Sequence, residues 1–227
     1  FIDRNAESGK SVEKELEDSG KPARFIKAEL TNEKEVEESF AEAEEGLKRI
    51  NGLINNAGSA VGENYAETTV ENWNADIALN LTAHYMLTRL VLPGMVQQGS
   101  GAVTSISSVN GIQALGNPAY SAAKAGLISF TQTLAIEYGP MGIRSNVVLP
   151  GTVETPVWKH RVEARQEVFE LVKSWYPVGR VGQPEDIASA VAFLCADEAG
   201  FVNGASLTVD GGLTAGSFRM IRDMIGK

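Results

Sequence analysis

Apolar and polar positions along this chain switch repeatedly between two patterns. Short apolar runs bounded by turn residues read as strands, and longer stretches with apolar residues three or four apart read as helices. Arg24 to Leu30 reads as a strand. Glu33 to Ile50 reads as a helix, with Thr31 or Asn32 as its N-cap and Val36, Phe40, Ala43 and Leu47 on one face. Gly52 to Asn55 is a short buried strand, and Glu71 to about Gln98 is helical, with a kink or break expected at Pro93. A strand over Ala102–Ser107, a helix over Pro118–Tyr138 and a strand over Ile143–Leu149 follow. A helix over Glu185–Cys195 begins beside Pro184, and Ala205–Val209 is the last strand. Strand and helix alternating at this spacing imply right-handed βαβ crossovers and a parallel sheet, an α/β fold of three layers, α/β/α. Val147-Val148-Leu149 is apolar throughout, as a strand covered on both faces requires.

Composition narrows the class. The 227 residues are 43% hydrophobic and 22% charged, which is ordinary for one globular domain. The net charge of −9 lacks the electrostatic footprint of a nucleic-acid binder. Its densest acidic run, Glu33 to Glu45, reads as a solvated helix face. One cysteine, Cys195, allows no disulfide framework and no cysteine-based zinc site, so a reducing, cytoplasmic setting is the expectation. No metal is called for, and no apolar run is long enough to span a membrane.

Ligands on an open parallel sheet bind beyond the carboxyl ends of its strands, so residues just after strands carry the interest. Tyr120-Ser121-Ala122-Ala123-Lys124 places a phenol and an ammonium four apart on one helix face. The ammonium is expected to favour the phenolate and tune the phenol for proton transfer, though chance surface pairing gives the same spacing. Ser107-Ser108 ends a strand 12 residues before Tyr120, where a hydroxyl can orient a carbonyl oxygen or simply cap a turn. Asn55-Asn56-Ala57-Gly58 closes the preceding strand with small residues that let a ligand lie close. Asn80 falls within a helix, where a buried Asn needs a specific partner and an exposed one needs none. Pro150-Gly151-Thr152-Val153-Glu154-Thr155 is a turn after a strand, and Asp3 follows Phe1-Ile2 where a carboxylate can accept from a ribose diol.

Taken together, Asn55-Asn56-Ala57-Gly58, Asn80, Ser108, Tyr120-x-x-x-Lys124, Pro150-Gly151, Asn203-Gly204 and Val209-Asp210-Gly211-Gly212 occur in one order. This arrangement resembles the short-chain dehydrogenase/reductase family, over Phe1 to about Gly212. The resemblance implies a Rossmann-like, doubly wound domain over residues 1–227 and hydride transfer between nicotinamide and a secondary alcohol or ketone. By the same resemblance Tyr120 is the general acid/base and Lys124 lowers its pKa and holds the nicotinamide ribose. Ser108, which begins Ser-x-x-Gly, orients the substrate, with Ser107 as second choice, and Asn80 holds a relay water. Asn56, Ala57 and Gly58 match the segment beside the adenine ribose, and Glu29-Leu30 matches the adenine contact, with Glu29 where the family usually has Asp. Val153 and Thr155 match the carboxamide contacts, and Pro150 and Gly151 belong to the same cofactor loop. Asp3 matches the acidic residue associated with NAD over NADP, while the adjacent Arg4 softens that preference.

The departure is the family's glycine-rich turn, Thr-Gly-x-x-x-Gly-x-Gly, which occurs nowhere in the 227 residues. The expectation is that a first βα unit precedes Phe1, because the strands on either side of its place otherwise face each other across a gap. Residues 155–178 fall where the family carries a substrate lid, with Trp158, Trp175 and Tyr176 as an apolar wall and His160 and Arg161 as polar handles. The alternative is an amphipathic helix whose aromatics only pack. Ile77, Leu81, Tyr85, Ile128, Phe130 and Leu134 spread apolar surface around two helices, and family members commonly form homotetramers through them. Phe218, Met220, Ile221, Met224 and Ile225 give the tail, residues 213–227, an apolar stripe suited to a contact or lid, or to fraying. A non-catalytic scaffold or regulator on the same fold is the competing expectation.

Overall fold

A computed structural model of the chain describes residues 1–158, 163 and 167–226. Six parallel strands alternate with helices: β1 Ile2–Asp3, β2 Ile26–Lys27, β3 Gly52–Asn55, β4 Gly101–Ile106, β5 Ile143–Pro150 and β6 Ser206–Val209. The strands form two groups, β1-β2 and β3-β4-β5-β6, with every pairing parallel. The α-helices among the described residues are α1 (Ala6–Asp18), α2 (Glu33–Gly46), α3 (Val70–Ile77), α4 (Ala83–Gln98), α5 (Pro118–Tyr138), α6 (Val168–Lys173), α7 (Pro184–Cys195) and α8 (Phe218–Ile225).

Among the described residues β1 pairs only with β2 and β3 only with β4, and Ile54 of β3 stays 52% exposed. Packing rather than strand pairing joins the two groups. Ile2, Leu30, Val36, Leu53, Ala83, Met86 and Leu87 form one apolar cluster. Leu53 also touches a second cluster built on Val91, Leu92, Met95, Val103, Leu134 and Ile143. A third cluster, with Val148, Val191 and Leu194, seals the other face under α7.

Several expectations need correction. The strand expected over Arg24–Leu30 contracts to Ile26–Lys27, because its only partner is the two-residue β1. Asn32, not Thr31, caps α2 by accepting from Lys34 N and Glu35 N, and the helix ends at Gly46 rather than Ile50. Helix α4 runs unbroken through Pro93, which lies on its exposed face. Water can reach the carbonyl that the missing N–H leaves free there. The irregularity comes earlier, as a π turn over Ala78–Thr82 in which Ala83 N donates to Ala78 O. No helix among the described residues is long and apolar enough to cross a membrane.

Candidate functional site

The residues singled out in the sequence gather beyond the carboxyl ends of the strands, and one helix face organises them. Asp76, Asn80, His84 and Thr88 recur every fourth residue along α3, the π turn and α4. All four are buried, at 1%, 0%, 1% and 1% exposure. Opposite them runs the chain leaving β3. Asp76 Oδ1 accepts from Val61 N at 3.0 Å. Asn80 Nδ2 donates to Ser59 O at 2.7 Å, and the His84 ring Nε2 lies 2.8 Å from Ala57 O. Asn55 Nδ2 donates to Thr88 Oγ1 at 3.1 Å.

Residues 61, 59, 57 and 55 thus meet 76, 80, 84 and 88 in antiparallel order. The match is metric: four helical residues rise about 6.0 Å and two extended residues span about 6.6 Å. Asn56 and Gly58, the alternate residues, are left on the open side of this zipper. The π turn lies in its middle, and Asn80 Nδ2 also donates to Asp76 O at 2.9 Å. Asn55 Oδ1, Asp76 Oδ2, Asn80 Oδ1 and His84 Nδ1 are buried without a partner. Buried polar atoms of this kind are uncommon, and four of them lie along this one zipper.

Helix α5 supplies the second wall. The proline at its first position and the left-handed Asn117 before it fix where the helix starts. Lys124 lies 2% exposed, and its Nζ donates to Ile106 O at the end of β4, 2.8 Å away. The Ser107 hydroxyl donates to Lys124 O at 2.7 Å, so Ser107 clamps strand to helix. Ser108 faces the phenol instead and is hydrogen-bonded to Tyr120. It also shares a contact with Asn110, accepting from its backbone N at 3.2 Å. A Cβ on Gly58 would stand 2.8 Å from Asn80 Oδ1 and 3.2 Å from Lys124 Nζ. Gly58, Asn80 and Lys124 therefore form a cradle closed to any larger side chain.

Burial dominates the electrostatics of the cluster. Burial raises the Tyr120 phenol above its usual value, against the bond from Ser108 that favours the phenolate, and the charge of Asp76 adds to the rise. Lys124 stands beside the ring. Its ammonium lies 5.6 Å from the centre of the Tyr120 ring, directed at the Ile106 carbonyl. Burial lowers Lys124 itself to about 7. Burial, and then the charge of Lys124, lowers His84 to about 4, so the ring is neutral at physiological pH. Asp76 is raised by burial, against the N–H groups of Val61 and Gly62.

The loop after β5 forms the third wall. Val153 bridges to Gly182, and Gly182 N donates to Thr152 O at 2.9 Å. Thr152 N donates to the hydroxyl of Tyr176 at 2.6 Å. Tyr176 is 2% exposed, so it stands behind this loop and does not line an apolar wall with the tryptophans. Trp158 instead stacks obliquely on Phe169, at 5.6 Å between ring centres. His160 and Arg161 lie outside the described residues. Pro150, Gly151, Val153 and Thr155 are all partly open. Gly151 packs against Asp210 so closely that a Cβ would meet its Cα at 3.1 Å.

At the far end, Asp3 closes β1 in an exposed position and accepts from Asn5 N at 2.8 Å. Arg4, its neighbour, pairs at 3.5 Å with Glu29. The Leu30 side chain is buried in the core, so only its backbone faces a ligand. Two of the motifs turn out to be structural. Asn203 ties Ser145 N of β5 to Ala135 O of α5, and Asp210 accepts from Gly212 N and Thr214 N.

Asp76, His84 and Thr88 were not singled out in the sequence. Their signal is the four-residue spacing of polar groups on either side of Asn80.

A family model described as enoyl-(acyl carrier protein) reductase matches residues 1–214. An uncharacterized oxidoreductase of Schizosaccharomyces pombe is 44% identical over 200 residues, 88% of this chain and 78% of the relative. An inactive 2-(S)-hydroxypropyl-CoM dehydrogenase of Xanthobacter autotrophicus is 38% identical over 219 residues, 95% of this chain and 94% of the relative. The crystal structure of a short-chain dehydrogenase/reductase from Burkholderia thailandensis matches with a TM-score of 0.92 at 42% identity, covering 100% of this chain and 86% of that one. With its parallel sheet, its Tyr-x-x-x-Lys helix and these matches, the chain belongs to the short-chain dehydrogenase/reductase family of oxidoreductases.

Proposed function

We propose that the protein is an NAD-dependent oxidoreductase acting on a secondary alcohol or ketone, with Tyr120 as its general acid/base. The observation that carries this reading is the half-buried phenol bonded to Ser108, beside the Gly58–Asn80–Lys124 cradle. A dinucleotide fits the residues present: an exposed carboxylate at Asp3, a cradle at Gly58 that a Cβ would fill, and the unpartnered Asn80 Oδ1. Bound nicotinamide supplies the hydride chemistry. Tyr120 gives or takes the proton of the substrate hydroxyl at its phenol oxygen, and Ser108 holds that oxygen through its own hydroxyl. Lys124, lowered to about 7, exchanges a proton near neutrality and favours the phenolate whenever it is charged. Asn80 orders polar groups behind Lys124 as a positioning residue. Asn56, Ala57 and Gly58, with Glu29 and the Leu30 backbone, take the adenosine side. Pro150, Gly151, Val153 and Thr155 take the nicotinamide side, under a substrate lid over residues 155–178.

Preference for NAD rests on Asp3, which repels a 2′-phosphate, and on Arg4, which is paired with Glu29. Fluorescence titration of the purified protein with NADH and with NADPH tests it. NADH binding at least about tenfold tighter, roughly 1.4 kcal/mol, is expected, and equal or inverted affinities contradict it.

The non-catalytic reading draws on one observation, the relative named inactive at 38% identity. Assembly as a homotetramer through α4 and α5 draws on their exposed apolar residues, Tyr85 at 50% and Ile136 at 77%. Analytical ultracentrifugation reads it directly.

A further inference from the structure

Asp76 is a buried carboxyl group that the reaction scheme does not use. It lies one helical turn before Asn80, 1% exposed, with Oδ1 on Val61 N and Oδ2 unpartnered. Burying such a group is unfavourable unless its bonds return something. What they hold is the turn at residues 61–63. The next contacts of that turn lead to α5. Asn117 Nδ2 donates to Gly62 O at 2.5 Å, and Asn117 N donates to Glu63 O at 3.0 Å. Asn117 has φ 48°, the one non-glycine residue with positive φ among the described residues, and immediately precedes α5. Its own carbonyl accepts from Ser121 N at 2.8 Å, in the first turn of that helix. Tyr120 is three residues beyond Asn117.

We propose that Asp76 is a positioning residue for proton transfer at Tyr120: its carboxyl fixes the 61–63 turn, and that turn, through Asn117, fixes the start of the helix that carries the phenol. The inference rests on Tyr120 being the acid/base. The arrangement separates Asp76 from cofactor binding. Ala57 and Ser59 are held by His84 and Asn80, so the segment proposed to meet the adenosine keeps its bonds when the Val61 bond is lost. Among the described residues the hydrogen-bonded route from Asp76 to the start of α5 runs through the 61–63 turn and Asn117. Misplacement of a reacting group by about 1 Å costs up to about a hundredfold in rate, so the link has room to show itself in turnover.

The test compares Asp76→Ala, which removes the acceptor, with Asp76→Asn, which keeps an oxygen for Val61 N. Asn117→Gly tolerates the positive φ and deletes only the bond to Gly62. Each is examined by NADH titration, steady-state turnover, and hydrogen–deuterium exchange of the peptide spanning residues 115–122. Asp76→Ala and Asn117→Gly are expected to lower kcat about tenfold or more, with NADH affinity within about twofold of the parent, and to speed exchange at 117–121. Asp76→Asn is expected to restore most of kcat and of the protection. Unchanged exchange at 117–121 in Asp76→Ala overturns the proposal, as does a kcat that falls only in step with NADH affinity. If Asp76→Ala does not fold, Asn117→Gly carries the same two criteria. Faster exchange in a protein with no turnover on any alcohol or ketone keeps the Asp76 link and overturns the oxidoreductase reading instead.

Discussion

Gly58 lies so close to Asn80 that a Cβ on it would stand 2.8 Å from Asn80 Oδ1, a distance real Cβ contacts do not reach. Asn80 cannot give way freely, because its Nδ2 is held by Ser59 O and Asp76 O. Lys124 Nζ, 3.2 Å from the same point, closes the other side. Gly58→Ala should therefore push Asn80 or Lys124 out of place and cost about 1–3 kcal/mol as overpacking. Chemical denaturation reads that loss, and NADH titration should show affinity falling about tenfold. Unchanged stability and affinity would mean that the cradle is slack.

His84 makes stability depend on acid in a defined window. Its folded pKa of about 4 lies below the ordinary histidine value of 6.5. Between those values the unfolded chain takes up a proton that the folded chain refuses. Stability from this group is complete above about pH 6.5 and falls as pH drops towards 4, by up to about 3 kcal/mol. Urea midpoints at pH 7 and pH 5 measure it, and His84→Gln should flatten the difference. Lys124, lowered from 10.5 to about 7, acts in the separate window between those two values, where stability rises with pH, so the two do not overlap.

The adjacent serines should separate cleanly. Ser107 donates to Lys124 O, a buried clamp between β4 and α5, whereas Ser108 bonds the phenol of Tyr120. Ser107→Ala should cost about 1–3 kcal/mol of stability through the carbonyl left behind. Ser108→Ala should leave stability nearly intact and lower kcat about a hundredfold or more. Thermal melts and turnover on both variants decide it, and the reverse pattern would exchange their roles.

Tyr176→Phe removes one oxygen and leaves Thr152 N without its 2.6 Å acceptor. A buried N–H left unpaired costs about 1–3 kcal/mol. The cost should fall on the loop from Gly151 to Thr155, so NADH affinity should drop severalfold with the fold retained. Titration beside a melting curve is the check.

The sequence revealed those parts of the site whose chemistry is local. Tyr120 and Lys124 share a helix face by their spacing alone, and Ser108, Gly58 and Pro150-Gly151 stand after strands that their apolar runs mark. The four-residue stripe of Asp76, Asn80, His84 and Thr88 was written there too. Its meaning depends on a partner segment of different period, 55 to 61, and no single-element pattern shows that match. Tyr176 is ambiguous in the sequence for the same reason, since an aromatic in a loop reads alike whether it faces a substrate or holds Thr152 N. Spacing shows that Lys124 is near Tyr120 but not that its ammonium is directed at Ile106 O. Burial, which raises the phenol, is a property of the assembled walls.

In the proposed reaction the phenol of Tyr120 moves the proton of a nicotinamide-dependent oxidation or reduction. The most direct test follows NADH absorbance across a panel of secondary alcohols and ketones for the parent and for Tyr120→Phe, with NADH binding measured on both. Turnover lost by at least about a thousandfold with NADH affinity unchanged is the expected result, since the variant removes only the oxygen that carries the proton. Equal turnover in parent and variant would contradict it.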